Sequence, residues 1–266
     1  MEHSMLLMVK KTLKKILTPQ QLQTLGEIRK LCYSLIVARL YSHDLTKLAT
    51  IYGSDKCGSH FYAAHYQDHF HNLRHEKLKI LEIGVGGYED PHLGGASLRM
   101  WKRYFPKSMI YSIDIYDKNT LQEKRIKIFQ GSQTDEAFLK KITSQIGSLD
   151  IIIDDGSHIV GHVLTSFKAL FPFLQEGGIY VIEDTQSSYW SMYEGNSENL
   201  NDPTTSMGFL KSLADGLNYR EFLKQDYTPS YLDKHITAVH FYHNLVFIYK
   251  GQNSEPSNMV ENGKFK

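Results

Sequence analysis

Two cysteines, Cys32 and Cys57, are all that the 266 residues contain, and their separation matches neither a zinc-ligand nor a redox-motif spacing. No disulfide framework is expected, and a reducing cytoplasm is the expected compartment. Charge of either sign is nearly balanced, at a formal +1, which gives no reason to expect nucleic acid or an anionic membrane as the main partner. Long hydrophobic runs are missing too. The longest near the start, LCYSLIVARLY, is broken by Arg39 and falls short of a membrane span. No secretory signal with a cleavage site is legible, and repeats and low-complexity runs are absent. The length suits one large α/β domain with a small extension.

What is there centres on LDIIIDDGSH, residues 149–158. Ile151, Ile152 and Ile153 form a β-branched run suited to a parallel strand buried on both faces. Asp154 and Asp155 fall at its carboxyl end, where open α/β sheets place their ligands. Gly156 allows a tight turn, and His158 lies near the start of the following helix. A second buried strand, GGIYVIED, ends on Glu183 and Asp184. Two strands ending in paired acids beside a histidine point to an oxygen-rich pocket for a divalent metal and a base. Adjacent strand-end residues point opposite ways, so Asp154 is expected to face the cofactor or order the turn, leaving Asp155 to the metal.

Around that centre, residues 1–50 read as a helical extension, with Val9, Leu13, Ile16 and Leu17 on one face. Residues 51–255 read as the main domain and 256–266 as a loose polar tail. The aromatic and histidine-rich stretch after residue 43 is expected to be a loop closing over a ligand; its histidines His60, His65, His69 and His71 suit a wet helix face better than zinc. LKILEIGVGG is a strand running into a glycine turn, followed by a helix through Leu98, Trp101 and Phe105. SMIYSIDIYD and RIKIFQGS are further strands, and Thr134 is expected to cap the helix that follows. Strands alternating with helices predict a mostly parallel, doubly wound Rossmann-like sheet with helices on both faces. HITAVHFYHNLVFIYKG, hinged at His243–Asn244, predicts a closing antiparallel hairpin.

The glycine turn fits two cofactor classes. A dinucleotide fold wants G-x-G-x-x-G leading straight into a helix. Here Glu82-Ile83-Gly84-Val85-Gly86-Gly87 places an acid before the first glycine, and the helix begins only later. That E-x-G-x-G form suits S-adenosylmethionine, and the terminal hairpin favours a methyltransferase sheet. Asp114, ending the next strand, is placed for ribose hydroxyls and would serve either cofactor.

The runs LEIGVGGYEDPHLGGASLRMWKRYFP, IDIYDK, GSQTD, IIIDDGSH, GGIYVIEDTQSSYW, MGFLKSLADGLN and HFYHNLVFIYKG, with YGSDKCGSHFY upstream, resemble the macrocin and mycinamicin sugar O-methyltransferase family over roughly residues 45–255. The resemblance implies an enzyme dependent on S-adenosylmethionine and on Mg2+ or another hard divalent cation. It would methylate a hydroxyl of a deoxysugar or similar diol-bearing natural product. It implies Asp155, Glu183 and Asp184 as metal ligands and His158 as base, with Asp155 also catalytic. Ser54, Glu82, Gly84, Gly86, Ser97, Asp114, Ser132, Gln133 and Asp154 are the expected cofactor residues. Ser132 stands where the family more often has Asp. Tyr189 and Trp190 are expected to stack on the acceptor. The mycinamicin-type enzyme carries a further N-terminal domain. A glycosylated small-molecule acceptor and a homo-oligomer are expected partners, without nucleic acid or a membrane span. Acceptor choice is expected to reside in residues 52–72 and 185–215. A catechol-type O-methyltransferase and an NAD-dependent oxidoreductase are the alternatives.

Overall fold

The computed structural model describes residues 36–266, together with Thr18, Gln20, Tyr33 and Ser34. The predicted face of Val9, Leu13, Ile16 and Leu17 lies outside them. Packing divides the chain between His71 and Asn72, whereas the sequence reading drew its boundary at 50–51.

In the first unit the stretch expected as a loop is largely helical. Asp44 caps α1 (Leu45–Tyr52), its carboxylate accepting from the Lys47 amide at 2.9 Å, and Gly53 closes it in the left-handed conformation. After a connecting loop, α2 (Tyr62–Phe70) buries Tyr62, Ala63, Tyr66 and Phe70 on one face. Its aromatic residues therefore build core. Gln67 ties the two helices by accepting from the Leu45 amide at 3.0 Å.

The second unit is a seven-stranded sheet: β1 (Lys79–Ile83), β2 (Met109–Asp114), β3 (Ile126–Gln130), β4 (Leu149–Asp154), β5 (Leu174–Glu183), β6 (Ile236–Tyr242) and β7 (Leu245–Lys250). Their spatial order is β3-β2-β1-β4-β5-β7-β6, with β1 to β5 parallel and β7 antiparallel to both neighbours. The helices are α3 (Ala96–Tyr104), α4 (Glu136–Ile146), α5 (Val160–Leu170), α6 (Ser206–Leu217) and the short α7 (Tyr231–His235). The Ile151–Ile153 run is completely buried because helices cover both faces of the central strands. One core gathers Leu81, Ile152, Tyr180 and Ile248 of the sheet with Leu139 and Ile142 of α4, Phe167 and Leu170 of α5, and Leu210 of α6. Phe167 packs edge-on against Tyr180 at 5.0 Å; burying a side chain of this size contributes about 2 kcal/mol.

Two local expectations are corrected. Asp135, not Thr134, caps α4 by accepting from the Phe138 amide at 3.0 Å, while Thr134 is engaged with the Ser132 hydroxyl. The tail is not loose. β8 (Val260–Glu261) pairs with β9 (Lys264–Phe265), and Ser257 anchors the segment by donating to Glu221 at 2.7 Å.

Candidate active site

The sheet order reverses between β1 and β4, and the carboxyl ends of β1, β2, β4 and β5 open on one side. Such a switch point is where open α/β sheets bind ligands. The glycine turn after β1 is shaped by backbone crowding. A Cβ on Gly84 would lie 2.2 Å from the Asp155 carbonyl oxygen, so this turn and the β4 turn touch main chain to main chain. Gly86 differs: at φ 76° it faces open space, with nothing within 4 Å of where a Cβ would stand. That is the cradle expected where a cofactor approaches backbone.

The cradle is braced from three sides. Asp114 accepts from the Val85 amide and the Tyr116 amide, each at 2.9 Å, linking the β1 and β2 turns while keeping lone pairs for a ligand. Ser97, at the start of α3, donates to Glu82 at 2.9 Å. Buried Lys118 donates to the carbonyls of Asp90 and Leu93 at 2.7 and 3.1 Å, fixing the loop between Gly87 and Gly94. Ser132 lies in the turn after β3, its hydroxyl bonded to Thr134 at 2.8 Å. Ser54 belongs to the other unit, buried in the loop after α1.

Four acids and a histidine converge beside the cradle. Asp155, His158 and Asp184 each bring a ligand atom within 4.8 Å of the others, and so do Glu82, Asp155 and Glu183. Asp155 is common to both sets. Glu82, expected on the cofactor side, therefore also borders the acids. His158 Nε2 lies 3.4 Å from Asp184 and 4.0 Å from Asp155. Oxygens on opposite sides of a magnesium ion stand about 4.2 Å apart, twice the bond length, so the all-carboxylate set of Glu82, Asp155 and Glu183, within 4.8 Å of one another, is of the chemistry and scale that suit a hard cation. Both His158 and Asp184 hold left-handed backbone, at φ 58° and 53°.

Asp154 turns away from this opening. Its carboxylate, 1% exposed, accepts from Ser166, from Tyr180 at 3.3 Å and from the Gln133 amide nitrogen at 3.3 Å. Burial pushes its pKa up to about 6, against the bonds from Ser166 and Tyr180 and the nearby His158, which pull it down. The Asp154 carboxylate thus gathers Gln133, Ser166 and Tyr180 in order around it. Gln133 carries that order onward, because its carbonyl oxygen accepts from the Ser157 amide at 2.9 Å.

Tyr189, Trp190, Ser191 and Met192 line a surface pocket in the segment after β5, with Trp190 half exposed. This segment is latched to α5: Glu194 accepts from the Gly161 amide at 3.0 Å, on the positive end of that helix. Nothing local in the sequence marks Glu194. The Ser157–His162 hydrogen bond, 2.8 Å, was also missed, although a serine and a histidine flanking a helix start are a usable signal.

A β3-β2-β1-β4-β5-β7-β6 sheet with its glycine cradle and strand-end acids at the switch point defines a Rossmann-like class I methyltransferase fold. Comparison with known proteins carries this further. The chain is 46% identical over 214 residues to mycinamicin VI 2''-O-methyltransferase of Micromonospora griseorubida. It is 47% identical over 215 residues to demethylmacrocin O-methyltransferase of Streptomyces fradiae; each match takes in 80% of this chain and 54% of the relative. A tetracenomycin rhamnosyl 2'-O-methyltransferase of Streptomyces olivaceus is 46% identical over 211 residues, 79% of this chain and 55% of its own. Among solved structures, the MycE methyltransferase of mycinamycin biosynthesis, in complex with Mg and SAH, superposes with a TM-score of 0.78 at 46% identity, over 80% of this chain and 55% of that one. The same enzyme with mycinamycin VI also bound gives 0.77 over 80% and 55%. No protein-family model matches. The chain is a homologue of the macrolide and tetracenomycin sugar O-methyltransferases, and spans about half the length of the relatives it matches. All three are named O-methyltransferases, and none is named a phenolic methyltransferase or an oxidoreductase.

Proposed function

We infer that this protein is a cytoplasmic O-methyltransferase that transfers the methyl group of S-adenosylmethionine to a hydroxyl of a deoxysugar or similar diol on a small natural product. The observation that carries this reading is the pair of clusters that share Asp155, one with His158 and Asp184 and one with Glu82 and Glu183, next to the glycine turn that packs on Asp155. The relatives named above, and the Mg and SAH in MycE, support it. Glycosylated acceptor, homo-oligomer and the division into an N-terminal extension, a 51–255 domain and a tail belong to the same reading. No described helix is long and apolar enough to cross a membrane.

Asp155, Glu183 and Asp184 would hold Mg2+ or another hard divalent cation, which when bound withdraws charge from an acceptor oxygen and orients a diol. Glu82 and Ser97 order the glycine turn, and Asp114 offers its remaining lone pairs to the ribose. Ser132 and the Gln133 main chain would line the adenine side. A sugar hydroxyl holds its proton too tightly near neutrality to attack unaided. His158 Nε2 takes that proton, and the imidazolium so formed rests against the Asp184 and Asp155 carboxylates. The acceptor oxygen displaces the sulfonium, leaving a methyl ether and S-adenosylhomocysteine. Tyr189 and Trp190 would bear on the acceptor's apolar face.

Calorimetric titration with S-adenosylhomocysteine and with NAD, each with and without Mg2+, tests the reading. Micromolar S-adenosylhomocysteine binding without NAD binding is expected; NAD binding, or neither, overturns it.

A further inference from the structure

The 155–158 turn carries Asp155 and His158, yet its conformation is not one these residues favour. Gly156 sits against Gln133, whose carbonyl oxygen would lie 2.2 Å from any Cβ there, and His158 is left-handed. Something must hold the turn, and the hydrogen bonds identify it. Gln133 is 8% exposed and bonded at both ends of its carboxamide: its oxygen accepts from the Ser157 amide at 2.9 Å, and its nitrogen donates to Asp154 at 3.3 Å and to Ser166 at 3.4 Å. Asp154 is in turn fixed by Ser166 and Tyr180, on α5 and β5. Ser157 is held a second time by His162 of α5 at 2.8 Å.

We propose that Gln133 is a positioning residue for the metal and base, bridging buried Asp154 to the Ser157 amide and so setting the turn that presents Asp155 and His158. This rests on the function inferred above but assigns the Gln133 side chain a task other than lining the cofactor pocket. Asp154 completes the device as the anchor. Because the bridge is directional, acceptor toward Ser157 and donor toward Asp154, it can be reversed. Gln133→Glu keeps the acceptor for Ser157 but sets carboxylate against carboxylate. Asp154→Asn has one acceptor oxygen where two are used, so either Gln133 or the Ser166 and Tyr180 hydroxyls then face a donor. Together they restore one donor and one acceptor.

The test uses the full chain with Mn2+ and S-adenosylhomocysteine as separate calorimetric probes, plus amide hydrogen exchange at Ser157. For Gln133→Met the expected result is a roughly tenfold or greater loss of Mn2+ affinity, the usual cost of removing an outer partner of a metal ligand. Exchange at Ser157 accelerates, while S-adenosylhomocysteine affinity stays within about threefold. Gln133→Glu and Asp154→Asn each behave likewise, and the double variant recovers much of the Mn2+ affinity and the Ser157 protection. Unchanged Mn2+ affinity and exchange in Gln133→Met overturns the proposal, as does a parallel loss of S-adenosylhomocysteine affinity or a double variant no better than either single. If the unsubstituted chain bound neither probe, the methyltransferase reading would fall, while Ser157 exchange would still decide whether Gln133 holds the turn.

Discussion

His158 Nε2 stands 3.4 Å from Asp184 Oδ2, and each of the two residues is left-handed. That conformation costs an L residue roughly 1–2 kcal/mol, so the contact joins two strained positions, a pattern concentrated at functional sites. His158→Gly relieves the strain and His158→Ala keeps it. Both should lose methyl transfer, yet the glycine variant should be the more stable by about 1 kcal/mol, as read by urea melts. Equal stability would show that the backbone is not strained at this point.

Asp155 belongs to both acid clusters, Asp184 to one. Asp155→Asn should therefore weaken Mg2+ binding more than Asp184→Asn, beyond the roughly hundredfold that outer-shell changes reach. S-adenosylhomocysteine affinity should be retained, and paired metal and cofactor titrations check both statements.

Two glycines of the cradle should respond oppositely to alanine. Gly84→Ala drives a methyl group into the Asp155 carbonyl and should give little folded protein. Gly86→Ala meets no atom, so it should fold with a loss of about 1 kcal/mol from its left-handed backbone. It should nevertheless bind S-adenosylhomocysteine weakly, because the methyl group fills the cradle. Thermal melts and calorimetry separate the two effects.

Glu194→Ala removes the acceptor that latches the aromatic segment to α5. The expected loss is about 0.5–1 kcal/mol of stability, that of a helix cap. Faster proteolytic cleavage within residues 185–200 should accompany it, with no change in cofactor affinity.

Tyr227 donates to Asp233 at 2.7 Å. That bond, with lesser contributions from burial and the Asp233 charge, pushes the phenol up to about 12. The folded state thus holds the proton more tightly than the unfolded chain. Its contribution is complete below the ordinary value near 10 and is lost as pH rises through about 12. Tyr227→Phe should be less stable at neutral pH and show a flatter decline between pH 10 and 12, measured by melting temperature.

Periodicity and strand-end chemistry carried much of this architecture. A run such as Ile151–Ile153 can be satisfied only by burial on both faces, and acids at such ends fall at the ligand side of the sheet. What stayed hidden depends on distance or conformation. Glu194 reaches Gly161 across 33 positions, and no neighbouring residue announces it. The left-handed turns at His158 and Asp184 use residues that do not advertise them, unlike glycine. Strand alternation separates Asp154 from Asp155 in sequence, but only the packing of α5 and β5 shows that Asp154 is sealed inside. Around Tyr62–Phe70, aromatic richness suggested a loop closing over a ligand, whereas the aromatic positions share one buried helix face.

The antiparallel strand β7 bears on the order in which the molecule is assembled. Leu245 pairs with Glu183, and Thr185 donates to the Asn244 carbonyl at 3.2 Å, so the end of β5 is fastened by residues some sixty positions later in the chain. A ribosome releases β1 to β5 well before that fastening is available. Until the closing hairpin arrives, β5 has an open edge, prone to pairing with another chain, and Glu183 and Asp184 lack their support. The acid cluster is thus among the last features to mature during synthesis.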